Sequence, residues 1–436
     1  MGRPRHRRRL RFLLWAGVPS LILGAVILTV ALHDAPGAKS RRVASSDPVA
    51  AFLAHYWVYP LQPEGKPPAD YSSLTASLAP SACGRCHTRQ YREWRSSLHH
   101  TAMGPGMLWQ FYLYGQRGAN SCMRCHAPLA EQKALIAREF HWPNVPAGAP
   151  PSYIPPDLAH QGLVCAVCHV RAQRRYGPPP SPGQPAGDTP GLPHGGFTVS
   201  AAFRDSRFCA SCHQFPADGP ALDGVPFENT YQEWRRSRFA REGISCQDCH
   251  MPAGRHLWRG IHDPAMVRKA ITVSLHVSRR GSRLVHVEAE IVNSGAGHDF
   301  PTYLVPRVTA RLDLVTPAGK VVRQLASRTI GRRVNLELTR QFSDTRIPPG
   351  GRLTFGADLP APRGPGWRVR LRLAVAPEEW YVHMYEHYLA ESGRLPPAAL
   401  PLLRQAVAQG HAERFVVNMA TVSLPPLGVP AARVAN

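Results

Sequence analysis

Apolar positions fall along this chain in three textures. The first is an unbroken run from Phe12 to Leu32, 21 residues without a charge, long enough to span a bilayer as one helix. Six arginines precede it in residues 1–11. That bias puts a basic tail in the cytoplasm and everything after residue 32 on the far side. The other reading of the run is a cleaved signal peptide, with Thr29-Val30-Ala31 as the nearest approach to a cleavage site. Residues 33–80 read as a tether, broken by an aromatic patch at Phe52 to Trp57 that suits packing better than it suits a ligand role for His55.

The second texture, residues 81–265, reads as mainly helix and loop with little regular structure. A Pro-rich stretch from Pro178 to Pro193 interrupts it and belongs on the surface. One repeat is visible: Tyr91-Arg92-Glu93-Trp94-Arg95-Ser96-Ser97-Leu98-His99 aligns with Tyr231-Gln232-Glu233-Trp234-Arg235-Arg236-Ser237-Arg238-Phe239. Each copy predicts a helix with Tyr and Trp on one side, and His in the first copy becomes Phe in the second.

The third texture, residues 266–436, alternates. Val285, Val287, Ala289 and Ile291 interleave with His286, Glu288 and Glu290, as a half-buried strand requires. Val308, Ala310, Leu312 and Leu314 repeat the pattern before a Pro317-Ala318-Gly319 turn. Trp367, Val369, Leu371, Leu373 and Val375 form another strand, and Phe415 to Leu424 the last. Short strands between Pro and Gly turns predict an antiparallel β-sandwich, with a helical insertion at 377–409. His383 and His387 lie four apart on that insertion, where a capping helix is the simpler reading than a metal site. The fold class expected is therefore mixed: a transmembrane helix, a helix-and-loop domain and a sandwich.

Cysteine spacing changes the picture of the middle segment. All ten Cys fall in five copies of C-x-x-C-H: Cys83/Cys86/His87, Cys122/Cys125/His126, Cys165/Cys168/His169, Cys209/Cys212/His213 and Cys246/Cys249/His250. This is the attachment signature of c-type haem. Two thiols bond the macrocycle and the adjacent imidazole reaches the iron. A disulfide scaffold or C-x-x-C zinc sites would not place a His after every pair with no Cys left over. Five covalently bound haem c groups follow. The motifs occupy 168 residues, too few to bury an ordinary side-chain core around five sites, so the haems themselves must form the core. Attachment chemistry of this kind takes place on the far side of the membrane in bacteria.

Composition then narrows the partners. The formal charge is +23, and ten ionised propionates would bring it to about +13. Arginines are scattered rather than gathered into a stripe, so nucleic acid is not expected. A net basic surface suits a redox partner protein, either a membrane quinol-side donor or an acidic periplasmic cytochrome, or anionic lipid of the inner membrane.

Five proximal histidines leave sixteen others. The candidates for the second iron position are His99, ahead of its neighbour His100; His194, in Pro193-His194-Gly195-Gly196; and His256 and His262, after the fifth motif. His298 stands in the Gly-rich turn Asn293 to Thr302, and His160 lies five residues before Cys165. Between His256 and His262 the weight goes slightly to His262.

The motifs Tyr91 to His99, Asn229 to Trp234, Cys246 to Pro252 and Gly297-His298-Asp299-Phe300-Pro301-Thr302 resemble the multihaem c-type cytochrome superfamily that includes the tetrahaem nitrifier cytochrome serving hydroxylamine oxidoreductase. The resemblance covers residues 81–302. It implies electron transfer through mainly bis-His haems, with some members keeping one haem open for catalysis, and a sandwich loop that offers His298 back to a haem. No C-x-x-C-K motif of the pentahaem nitrite reductases is present. The function expected is a single-pass inner-membrane cytochrome, its bulk on the periplasmic side, that transfers single electrons between redox partners. The alternative is an oxidoreductase acting on a small nitrogen or sulfur compound at one open-coordinate haem. A structural or polymeric cytochrome is the third reading. No catalytic side chain is assigned.

Overall fold

The computed structural model describes residues 47–180 and 191–427. It opens with helix α1 (Pro48–Tyr56), begun by Asp47, whose carboxylate accepts from the N–H groups of Val49 and Ala50. The aromatic patch on α1 is built into the interior. Tyr56 is buried, its hydroxyl donates to the Cys168 carbonyl at 2.7 Å, and the Arg171 guanidinium lies 4.1 Å over its ring. Phe52 and Tyr56 also meet Tyr176 and Phe203. His55, by contrast, is exposed.

Four helices organise the middle segment: α2 (Thr88–Arg95), α3 (Pro105–His126), α4 (Ala130–Glu139) and α5 (Thr230–Arg236). The 22-residue α3 bends at Gly115, whose φ of 61° favours a residue without Cβ. Leu108, Phe111, Ala119 and Met123 of α3 bury with Ile136 of α4. Most other elements here are single turns and strands of two to four residues.

Seven long strands come next: β1 (Thr272–Arg280), β2 (Leu284–Val292), β3 (Arg307–Val315), β4 (Val321–Ile330), β5 (Arg352–Pro360), β6 (Arg368–Ala376) and β7 (Phe415–Ser423). They form two antiparallel sheets, β5-β2-β1 and β7-β6-β3-β4. In the first, Val287 pairs with Val277 and Ala357; in the second, Leu371 pairs with Leu312 and Ala420. Period-two alternation puts Val285, Val287, Ala289 and Ile291 of one sheet and Val369, Leu371, Leu373 and Val375 of the other into one buried cluster. The alternating rows of β2, β3 and β6 are those visible in the sequence. Strands β1 and β5 escape that pattern, because Ser274, His276, Gly356 and Asp358 dilute their apolar rows.

Helices α6 (Glu379–Ala390) and α7 (Ala399–Ala412) leave β6 and return to β7. They do not cap the sheets. They pack on α3, where Trp109 meets Tyr385 edge-on at 5.8 Å and Leu403 and Ala406 of α7 join the same cluster. His383 and His387 are exposed on α6.

One expectation is corrected. Among the described residues no helix is long and apolar enough to cross a membrane, and residues 12–32 lie outside them, as does the basic tail. The architecture of the described residues is mixed helix and sheet with C-terminal antiparallel sheets.

Candidate haem-iron ligand pairs

Each C-x-x-C-H motif is wound into a helical turn. His87 N–H donates to the Cys83 carbonyl at 2.9 Å and His213 N–H to that of Cys209 at 3.0 Å. Cys165–His169 and Cys246–His250 are helices of their own, and Cys122 to His126 closes α3. Residues three and four apart share a helix face, so the turn delivers two sulfurs and one imidazole to the same side. None of the ten cysteines is in a disulfide.

The thiols are not equally enclosed. Eight are partly buried, whereas Cys86 of the first motif and Cys249 of the fifth are exposed. The reason lies in how the motifs meet. In each of these two motifs the first cysteine interacts with another motif, Cys83 with Cys165 and Cys246 with Cys209. The second cysteine, three residues on, is left at the rim. Cys86 and Cys249 keep the motif spacing but mark the edges of the segment rather than its core.

The imidazoles are then oriented by backbone carbonyls. Nδ1 of His126 donates to Ala102 at 2.9 Å, that of His169 to Tyr176 at 2.8 Å, and that of His250 to Arg259 at 2.7 Å. Three of the other candidates are held likewise: His194 to Gly196 at 2.7 Å, His256 to Gly254 at 3.0 Å, and His298 to Asp299 at 2.9 Å. An Nδ1–H engaged in this way fixes the tautomer and leaves the Nε2 lone pair for a metal.

The rings face one another in pairs drawn from distant parts of the chain. The centroids of His169 and His256 are 6.2 Å apart, those of His99 and His213 6.3 Å, and those of His250 and His298 6.3 Å. Two imidazoles that bind one metal at about 2.0–2.1 Å each put their centroids about 6 Å apart. The spacing therefore fits one iron between each pair. His194 lies within electrostatic reach of His87, which burial and then His194 hold below its ordinary range. Burial is also the leading cause that pushes His99 down to about 3 and His169 and His250 to about 4, with neighbouring imidazoles adding to it. Neutral rings are what metal binding requires.

Other candidates lie elsewhere. His160 pairs with Glu139 at 2.7 Å, and His100 packs on Trp94 at 4.4 Å. His256, rather than the more heavily weighted His262, stands across from a proximal ring. His262 sits between two carboxylates, its Nε2 3.1 Å from Glu378. Its Nδ1 is 2.8 Å from Glu413 at an angle too poor for a hydrogen bond, so that contact is between charges. Burial lowers His262, but Glu378 and Glu413 outweigh it and lift the ring to about 9.

Among the described residues neither His87 nor His126 has a second imidazole at the 6.2–6.3 Å spacing of the other three pairs. Burial lowers His126, the Ala102 carbonyl and Glu378 oppose it and His213 adds to it, and His126 in turn acts on His99. Near the same motif, the hydroxyls of Tyr303 and Tyr381 are 3.1 Å apart. Burial raises both phenols, and Cys122 is among the groups that act on Tyr381. These tyrosines and Glu378 carried no pattern in the sequence that marked them.

The loop bearing His298 is built for close approach. Asn293 Nδ2 donates to the carbonyls of His298 and Ile347, both at 2.8 Å. A Cβ on Gly297 would stand 3.1 Å from the Trp234 ring and 3.5 Å from Phe239.

Comparison with known proteins adds the fold. No family model matches the chain, and no curated protein sequence does. Among solved structures, a penta-heme cytochrome c552 from Thermochromatium tepidum is similar, with a TM-score of 0.54 and 20% sequence identity. The match covers 80% of this chain and 99% of that one. The chain thus shares the fold of a multihaem c-type cytochrome.

Proposed function

We propose that this protein carries single electrons through five covalently attached haems, on the far side of the bacterial cytoplasmic membrane. The observation that supports this most is the set of facing imidazoles whose centroids lie 6.2–6.3 Å apart. When attached, haem supplies a one-electron iron couple whose potential follows its axial ligands and burial. The chain supplies continuity. Thiols of the first and third motifs interact (Cys83 with Cys165), as do those of the second and fourth (Cys125 with Cys212) and of the fourth and fifth (Cys209 with Cys246). Cys168 acts on Cys209 and Cys212 and so links the third motif to the fourth. All five motifs therefore form one connected array with the fourth at its junction. The basic surface favours an acidic periplasmic cytochrome or a membrane quinol-side donor as partner.

His126 favours a second reading, in which one haem keeps an open position beside Tyr303, Tyr381 and Glu378 for a small nitrogen or sulfur compound. Electron paramagnetic resonance of the oxidised holoprotein, after intact mass has counted five haems, tests both. Four low-spin bis-His signals and one high-spin signal are expected. His298→Ala should convert one further low-spin haem to high-spin and raise its potential. An unchanged spectrum in folded His298→Ala protein would overturn the ligand pairing, and five low-spin haems would remove the second reading.

A further inference from the structure

The repeated Tyr-x-Glu-Trp helix does the same two things in both of its copies. On α2, the Trp94 indole N–H donates to the carbonyl of Leu163 at 2.7 Å. On α5, that of Trp234 donates to the carbonyl of Ile244 at 3.0 Å. Leu163 and Ile244 each stand two residues before the first cysteine of a motif, Cys165 and Cys246. The tryptophans therefore hold the third and fifth motifs by equivalent atoms.

The glutamates hold something else. Glu93 accepts from the backbone N–H of His256 at 2.8 Å and from the Arg255 guanidinium at 2.9 Å. Glu233 accepts from the backbone N–H of Asp299 at 3.2 Å, from the Thr302 hydroxyl at 2.8 Å and from the Arg346 guanidinium at 2.7 Å. His256 and the residue before Asp299, His298, are the rings that face His169 and His250. Each helix thus grips one motif through its Trp and that motif's opposing histidine through its Glu. Both glutamates are buried, where charge-assisted bonds are strong and an unpaired partner is costly.

We infer that α2 and α5 are two copies of one positioning clamp, in which Glu93 sets His256 across from His169 and Glu233 sets His298 across from His250. The clamp explains what the second copy retained. Phe239, in the turn after α5, stands where the first copy has His99, so the second copy offers no ligand there, yet Glu233 and Trp234 have partners equivalent to those of Glu93 and Trp94. The repeat donates no nitrogen to the site it clamps in either copy: His99 faces His213, of another motif. Glu93 and Glu233 are positioning residues and touch no iron site directly. This inference rests on the ligand pairing proposed above.

The test uses the full-length holoprotein with five haems verified by mass. Glu93→Ala should convert one haem equivalent from low-spin to high-spin, and Glu93→Gln, which keeps an acceptor oxygen, should convert only part of it. Glu233→Ala should do the same at a different haem. Combining Glu93→Ala with His256→Ala should add nothing to His256→Ala alone, whereas Glu93→Ala with His298→Ala should convert two equivalents. A low-spin parent spectrum in Glu93→Ala and Glu233→Ala, while His256→Ala and His298→Ala do convert a haem, would overturn the clamp and leave the pairing intact. If His256→Ala and His298→Ala change nothing either, the pairing itself fails. Should an alanine variant not accumulate, the glutamine variants decide. Conversion at the corresponding haem, or a shift in the potential of that haem alone, supports the clamp; parent-like spectra and potentials in both glutamine variants overturn it.

Discussion

The C-terminal sheets and the five-motif segment solve the same problem of burial with opposite materials. In the sheets, Val285, Val287, Ala289 and Ile291 meet Val369, Leu371 and Leu373, and every one of these side chains is fully buried. Strand pairing and aliphatic packing are sufficient there. In the motif segment, the centroids of paired imidazoles stand 6.2–6.3 Å apart. Thiols of separate motifs approach one another, and the aliphatic clusters are small and distributed. One region carries its core in its own side chains, while the other is shaped around a core that arrives covalently. Regularity follows from that difference, because a sheet needs only its alternation, whereas a haem-lined segment bends wherever a ring must be met.

The strongest way to break this comparison is to withhold the covalent core. Serine at all ten motif cysteines should abolish haem attachment and leave residues 81–265 open to limited proteolysis, while 272–423 stays resistant. Equal resistance of both regions would show that the motif segment packs without haem. A sheet-core change should act the other way. Leu371→Ala should cost about 2–5 kcal/mol in denaturant unfolding of the sheets, with the haem absorption spectrum at native conditions unchanged. A parallel loss of low-spin haem at native conditions would mean the two cores are not separable.

A smaller effect sharpens the boundary between the regions, where His262 is clasped by Glu378 and Glu413. Its folded value, about 9, lies above the ordinary 6.5. The contribution is therefore fully present below pH 6.5 and is lost as pH rises through 9, an effect of up to about 3 kcal/mol. Stability should fall over that window in the parent and not in His262→Gln, as thermal unfolding at graded pH would show. Identical slopes in the two proteins would mean that the clasp carries no net charge interaction.

The parts of the fold legible in the sequence were those governed by short-range rules. The β2, β3 and β6 alternations were visible because sheet burial repeats every two residues. The helical character of the 377–409 insertion was visible too, but not its destination on α3, since Trp109 and Tyr385 are distant in the chain. The exposure of Cys86 and Cys249 was hidden for the same reason, because identical motifs look alike until their neighbours are known. The Glu93 and Glu233 contacts lay in plain sight as a repeat, yet a repeat does not say which loops its carboxylates will hold.

The sequence by itself determined the candidate attachment sites, because two cysteines and a histidine at C-x-x-C-H spacing fall within one helical turn. It also narrowed the opposing ligands to a short set that included His99, His194, His256 and His298. Only the tertiary structure decided that His256 and not His262 faces a proximal ring, and that His99 faces His213 of the fourth motif. Those outcomes depend on where loops far apart in the chain are pinned, by Glu93, Glu233 and Asn293. A local pattern cannot encode the distance between two residues that meet only after the chain has folded.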